Sequence, residues 1–213
     1  MTALLRWDGD RLGATVDGAR VRFTTRALDL RDAGDRDALA TEVGRALRHG
    51  RQVHGARVLV DADPGREADG RVVTGTDAAA LVLTADCLPI ALLADGAVAM
   101  LHGGWRGLAA GVVDAGVRAL RDAGALGPVV AVLGPSARGC CYAVGEEVHG
   151  AFAAYEARVG ERNLALDVVA TAQLRAAGVE AVHDAGACTM CDARFFSHRR
   201  GDAGRQGGLA WRA

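Results

Sequence analysis

The sequence predicts an α/β or α+β fold, a single domain with a mixed β-sheet and flanking helices, on three observations. Short runs rich in branched apolar residues, each stopped by Asp, Gly or Pro, mark strands: "RVLVDAD", "ALVLTAD", "PIALLAD", "AVAMLHGG" and "VVAVLGPS". Longer stretches carry apolar residues one helical turn apart. The two kinds are interspersed, with no internal repeat and no low-complexity linker between them.

Taken in order, the first helix follows the acidic stretch at Asp35, where Leu39, Val43 and Leu47 recur at every fourth position. "RVLVDAD" runs into an ordinary Pro/Gly turn, "DADPGREADG". Three strands then crowd residues 81 to 103, a spacing that favours one mixed sheet. The turn at Asp95 and Gly96 pairs "PIALLAD" antiparallel with "AVAMLHG", so Ile90 and Leu101 or their near neighbours oppose, and Cys87 and His102 lie beyond the same end of the hairpin. Pro89 at that end wastes no ladder donor. Leu108, Val112, Val113, Val117 and Leu120 line one face of a second helix; a third is expected near Gly145 and a fourth after Asp167.

Half of the 213 residues are hydrophobic, enough for a sizeable core, and one domain over residues 1–213 is expected. Lys and Arg number 25 against 26 Asp and Glu, and no segment interleaves basic and aromatic residues, which argues against a nucleic-acid partner. The beginning, "MTALLRWDGDRLG", has no long apolar run. The most apolar stretch is broken by Asp86 and Asp95, short of the roughly 20 residues of a membrane span. A soluble, cytoplasmic protein without a membrane partner is expected, as monomer or homodimer. Five cysteines, an odd number without a secretory signal, point to free thiols available to a metal or to catalysis.

His54, Cys87 and His102 stand at ends of predicted strands, where sites are usually assembled. Gly55, Gly103 and Gly104 follow the two histidines and keep backbone clear for close approach. Two imidazoles and a thiolate suit zinc with a fourth position open, as in catalytic sites, and one zinc per chain is expected. Asp86 serves as general acid/base or as a structural cap. Arg26, Arg106, Arg199 and Arg200 offer guanidinium forks for phosphate, and Trp105 either stacks on a base or packs in the core. Cys188-x-x-Cys191 has metal-ligand spacing and, with Cys140 and Cys141, would make a four-thiol site; adjacent cysteines bind one ion awkwardly, which favours Cys141 and Cys188 as pocket-lining groups.

"FTTR", "RQVHGARV", "ADGRVVT", "LTADCLPI", "LHGGWRGLAAGVV", "LGPSARGCCYAVGEEV", "CTMCDARFFSHRR" and "GRQGGLAW" resemble, in order, the signature segments of the YfiH-like family. That family is also called the laccase-domain, multicopper polyphenol oxidase or purine nucleoside phosphorylase family. The resemblance implies zinc on His54, Cys87 and His102, and a purine nucleoside and phosphate as substrates. It implies phosphorolysis of adenosine, inosine and methylthioadenosine to free base and ribose 1-phosphate, with adenosine deamination beside it. Arg26 and Arg199 lie in family motifs and are the expected phosphate ligands. The chain departs from the pattern after Arg26, where the family's Gly-Gly-Val-Ser loop is missing and Asp29 replaces the usual Asn. A shorter lid leaves a bound nucleoside wetter.

Two rivals carry different chemistry. Copper-dependent polyphenol oxidation would use the same His-His-Cys set with Met100 as axial ligand, but a trinuclear centre needs more imidazoles than His49, His149, His183 and His198 supply. A nucleobase-deaminase zinc site needs His-x-Glu, and no histidine here is followed two residues later by Glu. A purely structural zinc domain fits a three-ligand site poorly. A peptidoglycan-editing role, proposed for bacterial relatives, is an alternative that no residue tests.

Overall fold

The structure is a computed structural model that describes residues 5–179 and 181–213. Three strands, β1 (Arg6–Asp8), β2 (Arg11–Val16) and β3 (Ala19–Phe23), precede helix α1 (Ala33–Val43). Six more follow: β4 (Ala46–Arg48), β5 (Val58–Val60), β6 (Gly70–Val73), β7 (Ala78–Thr84), β8 (Leu88–Asp95) and β9 (Val98–Gly103). Helices α2 (Trp105–Ala109) and α3 (Val112–Asp122) lead to β10 (Leu126–Leu133) and α4 (Glu146–Ala151). The chain closes with β11 (Arg158–Val159), β12 (Asn163–Leu164), α5 (Leu166–Ala176), β13 (Ala181–Asp184) and β14 (Gln206–Arg212).

The fold is mixed α/β, but it holds two six-stranded sheets, ordered β1-β2-β3-β14-β7-β4 and β13-β10-β8-β9-β6-β5. Each is mixed: β4/β7, β5/β6 and β10/β13 are parallel, and the other pairs are antiparallel. The sheets face each other through Val21, Phe23, Val82, Ala91, Leu93, Met100 and Val132. Helix α1 covers the far side of the first sheet with Leu39 against Leu81, Leu209 and Trp211. Helices α2, α3 and α5 cover the far side of the second, where Ile90, Leu92 and Leu101 meet Val113, Leu120 and Leu174. Strand β8 is thus buried on both faces, which is why its sequence is an unbroken apolar run rather than an alternation. Each such Leu or Val contributes about 1.5–3 kcal/mol on burial.

Several expectations change. Residues 81–103 do not share one sheet: β7 belongs to the first and β8 and β9 to the second, so the chain changes sheet at Ala85–Cys87. Asp86 makes that corner with φ 85°, a left-handed conformation rare outside glycine. The first helix stops before Leu47, because Gly44 caps it at φ 65° with bonds back to Ala40 and Thr41; Leu47 lies in β4, parallel to β7. The stretch Leu108–Leu120 is two helices, broken at left-handed Gly111, though all five apolar residues are buried. The helix at Gly145 ends at Ala151 and passes through a 3-10 turn, Ala153–Tyr155. The β8–β9 hairpin pairs Ile90 with Leu101 and turns at Gly96, φ 86°, but the ladder runs on through Pro89 opposite His102 to Leu88 opposite Gly103, so His102 lies within it and only Cys87 lies beyond its end.

Candidate metal centre

His102 is the penultimate residue of β9, Cys87 immediately precedes β8, and the hairpin register brings both to one rim. His54 arrives from the loop between β4 and β5 in a left-handed conformation, φ 61°. Two supports hold that loop. The Gln52 amide donates to the Leu83 carbonyl (2.7 Å) and accepts from the Leu83 N–H (2.8 Å), stitching the loop to β7. Asp69, fully buried just before β6, accepts from the backbone N–H groups of Val53 (3.1 Å), His54 (2.9 Å) and Gly55 (2.9 Å). Strained backbone at both His54 and Asp86 marks this rim as overdetermined by its surroundings.

The ligand atoms of His54, Cys87 and His102 lie within 4.8 Å of one another, with Cys87 Sγ 3.8 Å from His54 Nε2. Bonds of about 2.3 Å to sulfur and about 2.05 Å to nitrogen at a tetrahedral angle separate those atoms by about 3.6 Å. The donor set therefore fits one zinc-sized ion. His102 Nδ1 donates to Asp69 Oδ1 at 2.7 Å, which fixes the tautomer and leaves Nε2 for a metal. A Cβ on Gly104 would stand 2.9 Å from His54 Cδ2 and 3.2 Å from Cys87 Sγ, so this glycine keeps the rim open. Gly103 packs on the Leu88 carbonyl and Gly55 serves Asp69 through its N–H.

Electrostatics agree with the geometry. Burial alone would raise the Cys87 thiol, but the His102 charge and hydrogen bonds from His102 and His54 pull it down to about 6. Burial works against the His102 charge, yet the Cys87 thiolate and Asp69 lift it to about 9. Without metal the pair is a thiolate and an imidazolium. Burial also opposes the Asp69 charge, and hydrogen bonds from His102, Gly55 and Val53 overcome it and lower its pKa.

Asp86 faces inward, and its carboxylate accepts from Thr189 Oγ1 (2.7 Å), Ser197 Oγ (3.0 Å) and the Arg199 N–H (2.8 Å). These bonds tie the sheet-changing corner to the C-terminal segment. The Arg199 guanidinium stacks over the Tyr142 ring at 4.9 Å and donates to the Ala143 carbonyl at 2.7 Å. Tyr142 lies in the fields of Cys87, Arg199 and Asp86; burial first, then the Cys87 charge, raises its pKa and keeps the phenol protonated. Arg26 reaches the Ala193 carbonyl (3.3 Å) and Asp202 (3.4 Å) and lies over Phe196. Arg200 is tied down by the Thr189, Met190 and Phe195 carbonyls and Asp202, and Arg106 lies over Trp105, which packs against the helical core. Cys141 and Cys188 are half-buried and sit with Cys140 and Cys191 in a separate group of thiols. Met100 lies in the core between the sheets, covering Gly208.

Sequence reasoning assigned no role to Asp69 or Tyr142. Asp69 was visible only as an acid within "ADGRVVT", and Tyr142 only as the residue after "CC"; neither is near a histidine in sequence.

The profile of the family described as multi-copper polyphenol oxidoreductase laccase matches residues 31–213. The chain belongs to that family. It is 42% identical over 177 residues to a purine nucleoside phosphorylase of Pseudomonas aeruginosa, covering 75% of this chain and 72% of that one. It is 43% identical over 176 residues to a purine nucleoside phosphorylase of Streptomyces coelicolor, again covering 75% and 72%. Among solved structures, a family member from Neisseria meningitidis superposes with TM-score 0.84 at 28% identity, covering 96% of this chain and 99% of that one. The YfiH protein of Bacillus licheniformis shares the fold with TM-score 0.85 at 21% identity, covering 98% and 99%. No described helix is long and apolar enough to cross a membrane.

Proposed function

We propose that this chain, as one domain over residues 1–213, is a zinc-dependent purine nucleoside phosphorylase. Its substrates are adenosine, inosine and methylthioadenosine, and adenosine deamination is a second activity of the same site. The observation that carries the reading is the convergence of His54, Cys87 and His102 on one rim, with Tyr142 within the electrostatic reach of Cys87 and Arg199 stacked over Tyr142. The names of the relatives supply the reaction class.

Phosphate attacks the anomeric carbon, the bond from that carbon to the purine nitrogen breaks, and the sugar passes through an oxocarbenium-like state. Arg199 holds phosphate, since its fork projects at the surface while Tyr142 and Ala143 fix its plane. Arg26, also exposed, is the second phosphate ligand. The protonated Tyr142 phenol donates a hydrogen bond to the departing purine, which accumulates negative charge. When bound, zinc supplies Lewis acidity beside the purine. Asp86, engaged by three donors, positions Arg199 and the Cys87 corner rather than moving a proton.

The test is incubation of zinc-loaded protein with each nucleoside, with and without phosphate, followed by product identification. Free base and ribose 1-phosphate (methylthioribose 1-phosphate from methylthioadenosine) forming only with phosphate is the expected outcome, with inosine from adenosine reporting deamination. Base released equally fast without phosphate would show a hydrolase, and oxidised phenols with oxygen uptake would show copper chemistry.

A further inference from the structure

The second group of thiols has the form of a site in its own right. Cys140 and Cys141 come from a tight turn in which the N–H groups of Cys141 and Tyr142 both bond the Arg138 carbonyl, at 3.0 and 2.8 Å. That turn points the two adjacent sulfurs the same way, 3.6 Å apart, and so removes the awkwardness of neighbouring cysteines. Cys188 and Cys191 come from a second turn, closed by the Asp192 N–H on the Cys188 carbonyl at 3.0 Å. The turns are aligned by a bridge between Ser136 and Cys188: the Ser136 N–H donates to the Ala187 carbonyl (3.2 Å) and the Thr189 N–H to the Ser136 carbonyl (3.0 Å).

Across the turns, Cys141 Sγ lies 3.3 Å from Cys188 Sγ and 3.7 Å from Cys191 Sγ, and Cys140 Sγ lies 3.7 Å from Cys191 Sγ. All four sulfurs fall within 4.8 Å of one another. A disulfide would bring two of them to about 2.05 Å and leave the other pair apart. Four thiolates about 2.3 Å from a central ion form a tetrahedron with edges of about 3.8 Å, close to the separations here.

We propose that Cys140, Cys141, Cys188 and Cys191 form a second metal site, a closed tetrathiolate for Zn²⁺ that fastens the 134–143 loop to the 185–192 loop. Four protons leave to solvent as the ion binds, and no electron moves. The set is all sulfur and four-coordinate, the composition of a structural site, whereas the His54 site leaves a position open. The fastened loops carry Tyr142 and, through Thr189, the bond to Asp86, so the ion holds in place groups that surround the first site.

The deciding measurement is the metal content of protein purified without chelator, wild type beside Cys87→Ser. About two zinc per chain in the wild type and about one in Cys87→Ser are expected. Cobalt loaded into Cys87→Ser is expected to give an intense thiolate-to-cobalt charge-transfer band, since only the four-cysteine group then offers a cluster of sulfurs. A Cys188→Ser/Cys191→Ser variant that keeps its circular dichroism is expected to lose one zinc. If that variant fails to fold, the count in Cys87→Ser decides alone. About one zinc in the wild type and none in Cys87→Ser would overturn the proposal. So would an intact mass showing these cysteines oxidised to disulfides in protein as purified.

Discussion

Cys87 and His102 stand at the ends of strands that are buried on both faces, joined there by His54 from a tethered loop, while the four other cysteines stand on two loops at the surface. The first set is mixed, three-membered and shaped by strained backbone and a buried carboxylate. The second is uniform, four-membered and shaped by ordinary turns. The difference separates two ways a fold can present ligands. A rigid sheet end can hold an incomplete coordination shell open for chemistry, whereas loops reach a fixed geometry when an ion closes the shell around them.

The strongest way to break this comparison is Cys87→Ser. It is expected to lower phosphorolysis by about 10³-fold or more, because a Lewis acid contributes several kcal/mol and each 1.4 kcal/mol or so is tenfold. Steady-state kinetics with inosine and phosphate measures it, and activity within threefold of wild type would remove the triad from the mechanism. Asp69→Asn comes next. It keeps the side-chain shape but weakens the orientation of His102 and the 53–55 loop, and metal affinity should fall about 10–100-fold in a chelator competition. Arg199→Ala should raise KM for phosphate about tenfold, matching a charged hydrogen bond of roughly 1.5 kcal/mol, with zinc content unchanged. An equal rise in KM for nucleoside would move Arg199 off the phosphate.

The smallest effect sharpens the electrostatic half of the comparison. In metal-stripped protein Cys87 should be alkylated by iodoacetamide half-maximally near pH 6 rather than near 9, read by mass spectrometry of its peptide. The sign follows from both partners. A depressed Cys87 pKa adds stability as pH rises through about 6, and a raised His102 pKa withdraws it as pH rises through about 9, so the ion pair supports the metal-free fold between those values.

The convergence of Cys87 and His102 was legible because each sits where an apolar run meets proline or glycine, and the hairpin register because its strands are adjacent in the chain; His54 adjoins no such run and enters from a loop. The sequence did not reveal the N-terminal strands or β14. Their pattern is short and dense in arginine and glycine; β14's partners are remote, Gly208 pairing with Phe23 and Val82, whereas β2 and β3 are neighbours whose Asp17-Gly18 turn was a hairpin signal left unread. The helix that should have included Leu47 failed on one glycine, since Gly44 takes a left-handed cap that overrides the i+4 pattern. Asp69 was hidden for a different reason: it serves His54 and His102 only once β6 lies beside β9, with the His102 N–H bonded to its carbonyl at 2.7 Å.

Strand β14 holds the middle of the first sheet, hydrogen-bonded to β3 on one side and β7 on the other, although it follows every other described strand in sequence. Until residues 206–212 dock, β3 and β7 are therefore two bare edges flanking a gap, and the chain is a template for pairing with any neighbour. Removing residues 206–212 is expected to leave a chain that aggregates, because the sheet loses its central strand. Folding of the first sheet waits for β14, and its rate reflects closure of the long stretch of chain between β3 and β14.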